Sequence, residues 1–202
     1  MSDLFSDISA QLITEFHDAC LAQTQWAKQV QPKYHQGVWQ NIELNHRYNC
    51  LLWQEEDLAR RRGVPDREIV ANKRNIDGYN QKRNDAIEKI DEQLLQRLET
   101  VQRNADARLN SETAGAMVDR LSILGLKIFH MRVQTKRDDV DAEHRAACEA
   151  KLEKLIEQRG DLGNCLDNLL NEMTAGRAYY KIYRQFKMYN DPKLNPQLYQ
   201  KR

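Results

Sequence analysis

The sequence is poor in residues that turn a chain. Its 202 residues include eight glycines and four prolines, fewer than the punctuation of a strand-rich fold requires, so a β-sandwich or barrel is disfavoured and helix is expected. Cysteine is scarce and scattered: Cys20, Cys50, Cys148 and Cys165 form no CxxC pair, which argues against a disulfide frame or zinc knuckle and for reduced, mostly buried thiols. No single sign of charge dominates. The formal net charge is +1, so attraction to a nucleic acid would need local clustering. No apolar run reaches the roughly 18 residues of a membrane span, and the N-terminal MSDLFSDISAQLITEF carries acids where a signal peptide needs bases. These absences predict a cytoplasmic protein with no membrane span.

Hydrophobic residues make up 41% and charged residues 30%, the mixture of long amphipathic helices with solvated faces. The expected fold is all-α: a single-domain bundle of about five long helices over 1–202, with an irregular tail from about 190 to 202. The first helix is expected from Ser6 to Gln29, with Leu12, Phe16, Ala19 and Gln23 on one repeat and Pro32 closing it. The second runs from Gly37 to Arg62 and stops at RGVPD. Asp66 then reads as the N-cap of a third helix reaching Arg103, with Ile69 as its first core contact. Asn110 or Ser111 caps a fourth, whose stripe is Met117, Leu121, Leu124, Ile128 and Met131. The fifth follows Asp138–Asp141 and repeats Cys148, Leu152, Leu155, Arg159, Leu162, Leu166, Leu169 and Met173 as a coiled-coil-like seam.

Two polar faces stand out. On the second helix His46, Asn49, Trp53, Glu56 and Arg60 fall within about 80° of one another at 100° per residue, opposite Leu44, Tyr48, Leu51 and Leu58. On the third, Lys73, Asp77, Asn80, Gln81, Asn84, Glu88 and Asp91 form a stripe about 100° wide beside Ile69, Ile76, Ile87 and Leu94. Asn and Asp are mediocre helix formers, so a plain solvated helix would carry more Glu and Lys. If the two faces meet, they enclose Glu56, Asp57, Asp77, Asp85 and Glu88 with amides, a histidine and basic groups. That set suits a polar ligand, a hydrated divalent cation, or both. The structural alternative is a satisfied hydrogen-bond network that fixes helix register. On the fourth helix Asp119, Ile123, Leu126 and His130 form a second protein-facing side, and Lys127 is either an anion partner or a snorkelling lysine.

Familiar centres do not fit. A di-iron bundle needs two Glu-x-x-His motifs and only Glu43–His46 matches; HEXXH, a P-loop and GxGxxG are absent. Glu55, Glu56 and Glu88-x-x-Asp91 loosely resemble the magnesium-holding acids of all-α nucleotide pyrophosphatases, which makes Glu56, Glu88 and Asp91 the metal candidates. Near the C-terminus Tyr179, Tyr180, Tyr183, Tyr189 and Tyr199 alternate with Lys181, Arg184 and Lys187. With a near-neutral net charge, that stretch reads as packing on the bundle, not as nucleic-acid binding.

LLWQEEDLAR at 51–60, KRNIDGYNQKRNDAIEKID at 73–91, DRLSILGLKIFHM at 119–131 and the ending KMYNDPKLNP together resemble the bacterial family catalogued as domain of unknown function 4254, along essentially the whole chain. IDxxNQxRND occurs in full as Ile76, Asp77, Asn80, Gln81, Arg83, Asn84 and Asp85. The resemblance implies a compact helical protein of this length and assigns no catalytic residue. The LWxxED and DxxxILxxK patterns are also similar to those of small proteins encoded beside surface-polysaccharide glycosyltransferases, an analogy only.

The expected site lies between the second and third helices and takes a polar, phosphorylated or glycosidic small molecule, by binding or by catalysis. Arg60, Arg83 and Lys127 engage anionic groups, Asn80, Gln81 and Asn84 read hydroxyls, and His46, Trp53, Asp85 and Asp119 complete the binding set. Glu56, Asp57 or Asp77 serves as base. The rival expectation is a non-catalytic protein whose fifth helix pairs with a partner or with itself as a homodimer.

Overall fold

The computed structural model describes residues 4–184 and 191–199, so Lys187 and Tyr189 lie outside the described residues. Five long helices make the bundle: α1 (Ala10–Leu21), α3 (Gly37–Ala59), α4 (Asp66–Arg97), α5 (Ala114–Thr135) and α6 (Ala142–Thr174). Two single turns, α2 (Trp26–Gln29) and α7 (Pro196–Tyr199), complete the helices among the described residues. Two short strands, β1 (Arg108–Leu109) and β2 (Ala178–Tyr179), pair in parallel beside the ends of α4 and α6. The all-α expectation holds. No helix among the described residues is long and apolar enough to cross a membrane.

Local chemistry sets most helix ends. Ser9 caps α1 by accepting the Leu12 amide, and Asp167 of α6 accepts the Ala10 amide at 2.8 Å. Thr113 and Asp141 cap α5 and α6 in the same way. The α5 cap is two or three residues later than Asn110 or Ser111. Helix α4 has no side-chain cap: Pro65 holds the N-cap position, and Asp66 is the first helical residue, favourable to the dipole. Helix α6 ends in a Schellman motif, with Gly176 at φ +72°, its amide on Met173 O and that of Arg177 on Glu172 O.

The first helix is shorter than the periodicity suggests. It stops at Leu21, and Gln25 takes a left-handed φ of 54° before α2 begins. Its buried side is Ala10, Ile13, His17 and Cys20, whereas Leu12, Ala19 and Gln23 are exposed. Arg47 of α3 explains the break: it donates to the carbonyls of Trp26, Ala27 and Val30, lies over the Trp26 ring and pairs with Glu43 at 3.1 Å. Buried Glu43 accepts the Lys33 and Tyr34 amides, so it ties down a loop. Helix α4 ends at Arg97, short of Arg103, and the Arg97 side chain there reaches Asp7 and Leu4 O.

Helix α3 is the central element, packed on both α4 and α5, and it has no single apolar face. Asn41, Ile42, Glu43, Asn45, His46, Asn49, Cys50, Leu51 and Leu52 are all buried. The main core joins Ile13, Ile42, Ile90, Leu94, Leu121, Leu166 and Leu169. The seam of α6 therefore packs inside its own chain: Leu162, Leu166, Leu169 and Met173 belong to that core, and Leu155 packs against it. Leu152, nearer the start of α6, is only partly buried. Cys20, Cys50 and Cys148 are buried and Cys165 exposed, all as free thiols. Of the tail, Tyr180 is buried and Tyr179 lies under Arg103, while Tyr183 and Tyr199 are exposed. Pro196 opens α7, a helical turn in a tail expected to be irregular.

Candidate functional site

The sides of α3, α4 and α5 that face one another leave a cleft of about 370 Å³. Helix α3 contributes Asn49, Leu52, Trp53, Glu56 and Asp57, and its C-cap Arg60; α4 contributes Asn80 and Arg83; α5 contributes Ile123 and Leu126. Six of the residues expected at the site are thus brought together: Trp53, Glu56, Asp57, Arg60, Asn80 and Arg83. The volume lies within the range of small-molecule sites, and apolar walls with a few converging polar groups are their usual make-up.

Behind the cleft is a buried polar knot. Asp119 of α5 accepts the side-chain amides of Asn45 at 2.8 Å and Asn49 at 2.9 Å on the same oxygen. Asn49 also donates to Ser122 Oγ at 3.0 Å, and His46 Nδ1 lies 2.8 Å from that hydroxyl. Arg83 Nε stands 3.8 Å from the shared Asp119 oxygen, beyond hydrogen-bond range, and has no hydrogen-bond partner among the described residues. A guanidinium carries five donors, and this one reaches the cleft with part of that capacity unused.

The remaining candidates are elsewhere. His46 is buried behind the cleft and stacked on His17 at 4.3 Å between ring centroids; burial drives the pKa of His46 down to about 3 and holds His17 well below its ordinary value. Asn84 is buried on α4 but does not line the cleft. Asp77 pairs with Lys73 on the exposed side of α4, and Gln81 donates to Asp85 at 2.6 Å there. Helix geometry explains the split. At 100° per residue, Ile76, Arg83 and Leu94 point nearly the same way, while Asp77, Gln81 and Asp85 turn about 100–180° from them. The broad stripe straddles the helix edge.

The acids proposed for a metal also separate. Glu56 pairs with Arg60 at 2.9 Å at the cleft mouth, and Glu88 faces Arg184 at 3.8 Å. Asp91 is buried under the start of α5, where it accepts the Gly115 amide at 2.7 Å; burial raises its carboxyl to about 6. Among the described residues no group of three or more His, Cys, Asp or Glu is arranged to hold a metal ion.

Trp53 is the wall between the cleft and two neighbouring hollows. Its ring stacks on His130 at 4.5 Å with an interplanar angle of 4°. Lys127 lies beyond it, exposed, in the larger of those hollows. The sequence reading passed over Asn45, which donates to Asp119, and Ser122, which accepts from Asn49 and pairs with His46. Their signal was present: Asn45 lies one turn before Asn49, and Ser122 three residues after Asp119.

A family model described as "Protein of unknown function (DUF4254)" covers residues 39–182. No curated protein and no solved structure matches the chain. The matched stretch holds every residue lining the cleft, but it excludes α1, α2 and the ending from Lys187, so it is narrower than the whole-chain resemblance. The chain belongs to the family described as Protein of unknown function (DUF4254).

Proposed function

We propose that the cleft between α3, α4 and α5 binds a small anionic, hydroxyl-rich molecule of the sugar phosphate or sugar nucleotide class. The observation that carries this reading is the Arg83 guanidinium, whose buried Nε has no hydrogen-bond partner among the described residues and whose neighbouring carboxylate, Asp119, is already engaged by two amides. A planar donor array left in that state suits a phosphate or carboxylate oxygen pair. Asn80 on α4 supplies donors and acceptors for hydroxyls, and Trp53 with Leu52 and Leu126 supplies apolar surface for a ring face. Arg60 adds a second cation at the mouth, tempered by its pairing with Glu56. Glu56 and Asp57 are the carboxylates of the cleft, and a general base for any reaction there is one of these two. The similarity of the LWxxED pattern to proteins of polysaccharide loci points to the same ligand class.

Thermal unfolding in the presence of sugar phosphates, sugar nucleotides and their neutral parent sugars tests the proposal. A ligand at about 100 times its Kd stabilises by roughly 2.7 kcal/mol, a shift of several degrees for a chain this size. The phosphorylated compounds are expected to raise Tm in the native protein and not in Arg83→Ala. A panel with no stabilising member, or one that stabilises Arg83→Ala equally, contradicts it.

A further inference from the structure

The larger hollow beside Trp53 is a groove of about 930 Å³ between the C-terminal half of α5 and the N-terminal half of α6. Its floor is apolar: Trp53, Met131, Ala147, Ala150 and Leu155. Its charged lining is three lysines, Lys127, Lys151 and Lys154, against one carboxylate, Asp57. Lys154 is paired with Glu157, whereas Lys127 and Lys151 have no acidic partner among the described residues. Trp53 and Asp57 border both this groove and the polar cleft, so the two hollows adjoin across one side chain wall.

We infer that the groove holds the hydrocarbon part of a single-chain anionic amphiphile, with the charged end toward Lys127 and the polar cleft. Three features select that occupant. The two small side chains Ala147 and Ala150 leave room above the floor, and apolar contact there removes a chain from water without satisfying any polar group. The unpaired lysines favour a negative head at the rim and disfavour a neutral or cationic one. The groove is walled by short segments of three helices, a footprint of small-molecule size and below the roughly 20–30 residues a side of a standard protein interface. The inference rests on the polar-cleft reading only for where the head lies.

Binding of dodecyl phosphate, dodecyl maltoside and inorganic phosphate to the full chain, below the micellar range, tests it by calorimetry. Dodecyl phosphate is expected to bind on the order of a hundredfold tighter than inorganic phosphate, since burying several methylenes supplies that difference. Ala150 is exposed, so Ala150→Phe fills the groove without disturbing the core and is expected to remove that advantage. Lys127→Glu with Lys151→Glu is expected to weaken dodecyl phosphate by about tenfold and leave dodecyl maltoside unchanged. Loss of binding in Ala150→Phe with none in Arg83→Ala supports the groove and places the head at the lysines, away from the polar cleft, whose own reading stands or falls with the sugar phosphates. Equal affinity for dodecyl and inorganic phosphate, insensitivity to Ala150→Phe, or preference for the neutral amphiphile overturns the inference. A groove that ignores all three compounds but takes an acidic amphipathic peptide overturns it in favour of protein docking.

Discussion

Arg83 on α4 and Asp119 on α5 face each other across 3.8 Å, close enough to attract and too far to share a hydrogen bond. The near oxygen of Asp119 is occupied by the amides of Asn45 and Asn49, and Arg83, whose buried Nε has no hydrogen-bond partner among the described residues, lines the cleft. One carboxylate thus holds α3 to α5 and sets the charge behind the cleft.

Removing that carboxylate is expected to cost stability in a graded way. Asp119→Ala strands two buried amide donors and the arginine, for a loss of roughly 3 kcal/mol. Asp119→Asn keeps an acceptor oxygen and loses only the charge, for about 1 kcal/mol. Urea unfolding midpoints of the two variants measure the order; equal losses would mean that the amides do not depend on this acceptor.

Glycines on two helices should respond with opposite sign. A Cβ on Gly115 would stand 2.6 Å from Ile87 O and 2.9 Å from the Asp91 carboxylate, where α5 starts against α4. Gly115→Ala is expected to destabilise by about 2–3 kcal/mol, as overpacking against backbone does. On α6, Gly160 meets nothing within 4 Å. Gly160→Ala is expected to stabilise by roughly 0.5–1 kcal/mol through helix propensity and the unfolded chain. Thermal denaturation of both variants decides the matter.

The buried histidines make the bundle acid-sensitive. Between about 3 and the ordinary 6.5, His46 is neutral when folded and protonated when unfolded, and His17 is shifted in the same direction. The unfolded chain then binds more protons, so stability falls as pH drops below about 6.5, by ~1.4 kcal/mol per pH unit per proton. Asp91 opposes this. Its carboxyl is raised from 3.8 to about 6 in the fold, so the native state holds the extra proton in that window and gains as pH falls through it. His17→Leu is expected to flatten the acid loss between pH 6 and 5, and Asp91→Asn to steepen it, in urea titrations at each pH. Because neither His17 ring nitrogen has a hydrogen-bond partner among the described residues, His17→Leu is expected to cost little at pH 7, about 1 kcal/mol or less for the lost stacking on His46. A large loss there would show that the imidazole has a role its contacts do not reveal.

The parts of the architecture legible in the residues were those fixed by local chemistry. Pro65 and Gly63 end one helix and begin another, Asp141 caps α6, and the stripe from Met117 to Ile128 is buried as its spacing requires. The cleft was half legible: Trp53, Glu56 and Arg60 converge with Asn80 and Arg83 because their positions on α3 and α4 face α5. What misled was width. A stripe spanning 100° includes residues on either side of the helix edge, and only tertiary packing decides that Asn84 turns inward while Asp77 and Gln81 stay outside. The break after Leu21 was illegible for a related reason. It depends on Arg47, more than twenty residues away, reaching the carbonyls of α2.

The most direct test of the cleft is the side-chain Nε–H resonance of Arg83, followed by NMR during titration with a sugar phosphate. Binding is expected to move that signal progressively and saturably, as an unpartnered donor acquires an anionic acceptor, while the Arg97 signal at its existing Asp7 pair stays in place. An Arg83 resonance that does not move at millimolar phosphosugar, or moves only in step with Arg97, contradicts the assignment of this cleft as an anion-binding site.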